Sequence, residues 1–151
     1  MNLEELGNKW EQDGRLNRTQ PAYEAERTPH LHSEYLKLLM KAREAFSRSD
    51  VVYKKLYSEK WYYYSMGPRN DEDAKLRAKT WKSMPVRGQK YIKQDLPMTL
   101  DGDEDIINAK LVRDFDQNFV QALEEIVKQI NNRGFYITGM IEWAKFQAGV
   151  K

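Results

Sequence analysis

The sequence predicts a mostly α-helical protein in which two long helices with heptad-like apolar stripes are separated by a basic loop or arm. Apolar residues recur every three or four positions over two long stretches, and glycine and proline are concentrated between them. Of the 151 residues, 40% are hydrophobic and 32% charged, which favours an elongated helical or oligomeric protein over a compact globule. We expect a single domain over 1–151, with an N-terminal helical part (1–66), a basic and acidic loop region (67–104) and C-terminal helices (105–151).

A short first helix is predicted before Gly14. Asn2 and Glu5 have the spacing of a capping box, in which each side chain binds the other residue's backbone N–H. Leu3, Leu6 and Trp10 then give one apolar face.

A much longer helix is predicted to start at Thr28-Pro29 and to stop at Gly67-Pro68. An alternative is that the helix extends back through Tyr23, which would make Pro29 a kink instead of a start. Its stripe runs near heptad spacing through Leu31, Tyr35, Leu38, Ala42, Ala45, Val52, Leu56 and Tyr63. A second apolar surface, made of Phe46, Tyr53, Tyr57 and Trp61, requires a partner.

Residues 67–102 are predicted to be a loop or arm with at most one helical turn, around Glu72 to Ser83. The interrupting residues are Gly67, Pro68, Pro85, Gly88, Pro97 and Gly102.

The helical pattern resumes near Asp105 and is predicted to end at Asn131-Asn132, with Gly134 as a left-handed C-cap. A final helix is predicted from about Thr138. The large apolar residues of this last segment indicate a self-association surface, although an intramolecular helical hairpin is the competing interpretation. The residues assigned to self-association are Phe135, Ile137, Met140, Ile141, Trp143 and Phe146.

Charge is distributed very unevenly along the chain. The net charge is −1 over residues 1–53, +7 over 54–93, −7 over 94–125 and +3 over 126–151. The basic block holds a series of cations with no acidic residue between them, as is typical of proteins that bind a phosphate backbone. That run is Lys75, Arg77, Lys79, Lys82, Arg87, Lys90 and Lys93.

Aromatic residues alternate with these cations, which favours a single-stranded nucleic acid as the ligand. Unstacked bases pack on aromatic rings for about 1–3 kcal/mol each, whereas a duplex hides those faces. The candidate binding residues in this part of the chain are Trp61, Tyr63, Tyr64, Arg69, Lys75, Arg77, Lys79, Trp81 and Lys82. The competing interpretations are a solvated basic loop and, for the tyrosines, core packing. The alternative function is an oligomeric structural or scaffold protein that touches nucleic acid only incidentally. A helix cannot bury four consecutive residues, so at least one or two of residues 61–64 should be exposed.

Enzyme and metal chemistry are not supported by the sequence. There is no cysteine, and His30 and His32 are the only histidines. The acidic stretch 101–105 lacks the glycine and glutamate of a calcium loop, and no nucleotide-binding glycine motif is present. We therefore expect no catalytic residues, no metal and no cofactor. No apolar run has the length of a membrane span, and the acidic N-terminus is unlike a signal peptide.

The C-terminus carries a recognisable set of residues, Arg133-Gly134-Phe135, Ile137, Ile141 and Phe146-Gln147-Ala148-Gly149. This set resembles the ending of the UvsY family, the recombination mediators of T-even-like tailed phages. A second match covers Tyr23-Glu24-Ala25, Leu31, Ser33 and Leu36, with an opening Leu3-Glu4-Glu5-Leu6. A third is the end of the long helix, from Ser58 to Ser65, and residues 67–110 are not aligned.

The resemblance implies a protein that is not an enzyme and that binds single-stranded DNA. It implies a ring-like or open-barrel homo-oligomer of six or seven subunits that helps a phage recombinase, UvsX-like, load onto DNA covered by single-strand-binding protein. It also implies a role in phage recombination, repair and replication in the host cell cytoplasm. By position, Lys54, Lys55 and Lys60 match basic residues of the family's DNA-contacting stretch, whereas Ser58 stands where the family has another lysine. The segment from Phe135 to Phe146 corresponds to the family's self-association region.

Overall fold

A computed structural model describes residues 1–85 and 91–149, in which all regular secondary structure is helical. The helices are α1 (Leu3–Asp13), α2 (Pro21–Met66), α3 (Asp71–Thr80), α4 (Leu96–Asp101), α5 (Glu104–Asn131) and α6 (Arg133–Gln147). They form two compact units, unit 1 with Met1–Glu44 and Gln117–Lys151, and unit 2 with Ala45–Asp116. Two residues of the predicted basic run, Arg87 and Lys90, lie outside the described residues.

The capping box and the end of helix α1 are confirmed, whereas Leu3 of its predicted apolar face is 42% exposed. The Asn2 side chain accepts a hydrogen bond from the Glu5 N–H at 2.8 Å, and the Glu5 carboxylate accepts one from the Asn2 N–H at 3.1 Å, which completes the capping box. The helix ends before Gly14, and the side chain of Leu6 is buried.

The predicted start of α2 at Pro29 is wrong, and the alternative of a backward extension is correct. Pro21 is the first helical residue, and the carbonyl of Gln20 already accepts the Glu24 N–H at 3.1 Å. Pro29 lies inside the helix, where it removes one backbone donor from the helical pattern. The predicted stop is confirmed, because Gly67 follows the helix with a φ of 80°.

The region after α2 holds more helix than the predicted single turn. Asn70 caps α3 by accepting the Asp73 N–H at 2.7 Å, and acids in the first turn with bases in the last complement the helix dipole. Asn70 was not among the predicted helix caps. A second helix, α4, has Pro97 in its first turn and buries Leu96 and Leu100 completely.

Helix α5 begins and ends as predicted to within one residue, but the prediction that Gly134 is a left-handed C-cap is wrong. Only Gly67 and Gly149 have positive φ among the described residues. Gly134 instead lies in the first turn of α6, which starts at Arg133 and not near Thr138. The physical reason is that the Arg133 side chain is buried and anchors this turn.

In unit 1, α1, α2, α5 and α6 each bury apolar residues, and a buried ion pair joins α2 to α6. Arg133 donates to the Glu24 carboxylate, to the Gly14 carbonyl at 3.0 Å and to Thr28 Oγ1 at 3.1 Å. The buried apolar residues include Leu6, Leu31, Tyr35, Leu39, Leu123, Ile126, Ile130 and Ile137.

In unit 2, the core forms where α4 and the first turn of α5 pack on the aromatic part of α2. Tyr64, Leu96, Leu100 and Ile106 are buried together. The half-buried residues packed against them are Tyr53, Leu56, Tyr57, Trp61 and Tyr91. The second apolar surface of α2 was predicted to require a partner. Three of its four residues, Tyr53, Tyr57 and Trp61, pack against this core of the same chain. The described helices include none that is long and apolar enough to cross a membrane.

Candidate nucleic-acid interface

Six of the predicted DNA-binding cations are exposed on unit 2, and we call them the α2–α3 cations. Two lie on α2, two on α3 and one on either side of α3. They are Lys54, Lys55, Arg69, Lys75, Lys79 and Lys82. Lys54 also pairs with Asp50 one turn earlier at 2.8 Å.

An open groove runs between α2 and α3 beside these cations. Lys55, Leu56 and Glu59 line its α2 side, and Leu76 and Thr80 line its α3 side. Arg77 and Trp81 also line the groove, and the exposed Lys79 precedes Thr80 on α3. An open groove with cations beside it can accommodate an extended chain whose phosphates meet those cations.

The aromatic run at the end of α2 divides between core and surface. Tyr63 and Tyr64 are buried, whereas Tyr62 is 39% exposed, as the argument from helical periodicity requires. The Arg69 guanidinium carbon lies 4.6 Å from the Tyr62 ring centroid, a cation–π contact at the solvent boundary. Tyr62 therefore offers a stacking surface that Tyr63 and Tyr64 do not.

The structure gives Lys60 a structural position instead of the exposed one that a DNA contact requires. Its side chain is 0% exposed. The ammonium donates to Asp103 at 2.9 Å, to Asp105 at 2.8 Å and to the Ser83 carbonyl at 2.6 Å. The Tyr64 hydroxyl also donates to Asp103 at 2.8 Å, and burial together with this bond raises the pKa of Tyr64.

Trp81, another predicted stacking residue, is also buried, with 9% of its surface exposed, and it packs among cations. Lys60 Nζ lies 4.3 Å and Arg77 Cζ 4.7 Å from its ring centroid, and Tyr63 meets it edge-on at 5.1 Å. Arg77 is half-buried and pairs with Glu59 and Asp73. These contacts tie α3 to α2, and Trp81 and Arg77 also contribute to the lining of the groove. Trp61 faces the core beside Tyr57, with ring centroids 6.4 Å apart.

The predicted self-association residues on α6 are mostly exposed. Phe135 is 80% and Phe146 72% exposed, and Trp143 stacks on Phe146 with centroids 5.5 Å apart. Ile141 is also exposed and Met140 half-buried. Ile137 differs from the rest, because it is buried in the core of unit 1.

Two features of the site were missed by the sequence analysis. Tyr62 was passed over in favour of its neighbours, although the burial pattern of a helix would have placed it opposite Tyr64. The partners of Lys60, Asp103 and Asp105, lie more than forty residues away. The signal for this pairing in the sequence was the acidic block that follows the basic block. Neighbouring blocks of opposite charge indicate ion pairs within the chain as well as attraction of the basic block to an anion.

Comparison with known proteins gives one consistent result. A family model for UvsY, described as a recombination, repair and ssDNA binding protein, matches residues 9–150. The fold is similar to a crystal structure of the bacteriophage T4 recombination mediator protein UvsY, with a TM-score of 0.79 and 21% identity over 98% of both chains. Another crystal form of that protein gives a TM-score of 0.79 and 19% identity, with 97% of this chain and 99% of that chain covered. No curated protein sequence matches significantly.

Proposed function

Because the chain belongs to the UvsY family, we propose that it is a phage recombination mediator that binds single-stranded DNA through the α2–α3 cations. The observation that carries the proposal is the exposure of these cations beside an open groove, with Tyr62 and Arg69 at one end of α3. Lysine and arginine attract the backbone over long distances and release its counterions, so we expect binding that weakens steeply with salt.

In this proposal the protein works by binding and not by catalysis. A mediator must change a covered strand so that the resident single-strand-binding protein loses affinity while a recombinase gains a template. Differential binding free energy is sufficient for this, so no nucleotide hydrolysis by this chain is required.

Self-association would strengthen a weak site. We place the subunit contacts on the exposed apolar residues of α6, with Phe135, Trp143 and Phe146 as the anchors. A ring-like assembly of six or seven subunits would carry as many copies of the α2–α3 cations, and one strand that engages several of them gains affinity through effective concentration.

The test is fluorescence anisotropy of a labelled single-stranded oligonucleotide, titrated at several salt concentrations and repeated with duplex. We expect preference for the single strand and a linear fall of log affinity with log salt. The combined variant Lys55→Ala and Lys79→Ala removes one cation from each of the two helices that flank the groove. This variant should make the slope of log affinity against log salt concentration shallower by about 1.4, or about 0.7 for each lost phosphate contact.

A matched control is Lys37→Ala with Lys41→Ala. These lysines are also exposed on α2 but belong to unit 1, so the net charge change is the same outside unit 2. Equal losses in both double variants would contradict the assignment of the surface. A wild-type protein without affinity for single strands would contradict the proposed function and favour an oligomeric scaffold. Faster filament assembly by a UvsX-like recombinase on a covered strand would support the mediator role.

A further inference from the structure

The buried ammonium of Lys60 joins three segments that are far apart in the chain. It lies on α2 and bonds the first turn of α5 through Asp105, the residue before α5 through Asp103, and the connection after α3 through the Ser83 carbonyl. Neither Lys60 nor Asp103 has any exposed side-chain surface. A buried charge is tolerated only when it is paired and hydrogen-bonded, and these contacts meet that requirement.

The connection that follows α3 is held by the same group. The Asp105 carboxylate accepts the N–H groups of Lys82 and Ser83, each at 2.9 Å. The Ser83 hydroxyl in turn accepts the Glu104 N–H at 2.9 Å. Residues 82 and 83 are therefore fixed on the start of α5 by bonds to both backbone and side chain.

The constraint extends from this connection into α3. Trp81 lies between the connection and the helix, and its ring contacts both Lys60 and the Arg77 guanidinium of α3. The exposed Lys79 and Lys82 lie on either side of Trp81 in the chain. Their position relative to α2 thus depends on the group centred on Lys60.

We propose that Lys60 is a positioning residue for single-stranded DNA binding, which sets the place of Lys79 and Lys82 and does not itself contact the strand. This inference rests on the proposed function. It differs from an assignment of Lys60 to the contacting surface, because it predicts that the effect of Lys60 passes entirely through other cations.

A double-mutant cycle tests that prediction. Lys60→Met keeps the aliphatic stem and removes the charge, and we expect it to weaken binding of a labelled single-stranded oligonucleotide about tenfold. In a Lys79→Ala, Lys82→Ala background the same change should lower affinity less than about twofold, because the residues on which it acts are already gone. If the fold-losses of affinity from the two sets of changes multiply, Lys60 contributes to binding independently of Lys79 and Lys82, and the inference is overturned.

A second variant keeps the test valid if Lys60→Met fails to fold. Asp105→Ala removes the acceptor of the Lys82 and Ser83 amides and leaves every cation in place. Since it also removes a negative charge, electrostatics alone predicts tighter DNA binding, whereas loss of positioning predicts binding weaker by about threefold or more. The control is Glu104→Ala, which removes the same charge from the exposed neighbouring residue. Asp105→Ala that binds as tightly as this control would overturn the inference.

Hydrogen exchange in the absence of DNA separates this inference from the proposed function. Lys60→Met and Asp105→Ala should both accelerate exchange of the Lys82 and Ser83 amides, and unchanged protection in both would overturn the positioning role even if DNA binding falls. If the wild-type protein does not bind single strands, the proposed function fails, and the inference about binding fails with it. If the wild-type protein binds single strands and the affinity losses in the double-mutant cycle multiply, the inference is overturned while the proposed function stands.

Discussion

The ammonium of Lys60 donates to the carboxylate of Asp103 at 2.9 Å, and both side chains are completely buried in unit 2. Asp103 also accepts the Ile106 N–H at 3.1 Å, so the same carboxylate caps α5. One pair of residues thus links the end of α2 to the start of α5.

Lys60→Met should destabilise the protein by about 3–5 kcal/mol, because it leaves Asp103 as a buried charge without its cation. The measurement is urea unfolding followed by circular dichroism. Lys37→Met is the control, since Lys37 is exposed on the same helix, and it should change the free energy of unfolding by about 0.5 kcal/mol or less. A loss for Lys60→Met no larger than that of the control would show that the pair contributes little.

Stability should fall in acid through Asp105. Burial alone would raise the pKa of this carboxyl, but the bonds from Lys60 and from the Ser83 and Lys82 amides outweigh burial and hold the pKa below its usual value. A group whose pKa is lowered on folding stabilises the protein fully above its unfolded pKa, near 3.9, and loses this contribution as the pH falls through the folded value. The free energy of unfolding, measured from pH 6 down to pH 2.5, should therefore drop most steeply below about pH 4.

Asp105→Asn should make that acid-induced drop shallower, since it removes one of the groups that gain protons on unfolding. Asp13 and Glu24, whose pKa values are also lowered in the folded protein despite burial, should preserve a smaller drop of the same sign. A variant whose profile follows that of the wild type would exclude Asp105 as a contributor.

Two glycines should respond in opposite directions to alanine. Gly67 has a φ of 80°, so Gly67→Ala should cost about 1–2 kcal/mol of folding free energy. Gly134 is helical, and a Cβ there meets no atom within 4 Å, so Gly134→Ala should stabilise by about 0.5–1 kcal/mol. Thermal unfolding of the two variants checks both signs. Destabilisation by Gly134→Ala would argue against the helical position of this glycine.

Phe135→Ser with Phe146→Ser should dissociate the proposed assembly without unfolding the subunit. Both rings are largely exposed, so their removal takes little from the core of unit 1. Light scattering should report a smaller mass while circular dichroism stays unchanged. Ile137→Ser is the contrasting variant, because its buried side chain predicts lower subunit stability. An intact assembly in the double variant would exclude these rings as subunit contacts.

Local signals in the sequence were enough to predict several of the helix boundaries. The Asn2 and Glu5 pair, the stop at Gly67 and the end of α5 each depend on neighbouring residues, and the structure confirms them. The errors at Pro29 and Gly134 have a different cause. Proline and glycine commonly mark helix ends. Here the contact between the distant residues Arg133 and Glu24 stabilises the helices in which Pro29 and Gly134 lie.

The site was less predictable than the fold for the same reason. Exposed cations such as Lys55 and Lys79 follow from charge and helical spacing. The burial of Lys60 does not, because it depends on Asp103 and Asp105, which lie more than forty residues further along the chain. Charge counts along a sequence thus overstate the number of cations that a ligand can reach.

The division into units has a consequence for synthesis on the ribosome. Unit 2 is one continuous segment, Ala45–Asp116, whereas unit 1 joins the first 44 residues to the last 35. Its contacts span 119 residues between Trp10 and Gln129 and between Gly14 and Arg133. The N-terminal part must therefore wait until nearly the whole chain has been translated, while unit 2 can fold as soon as its own residues emerge. The apolar faces of α1 and early α2 are the ones that a nascent chain leaves uncovered longest.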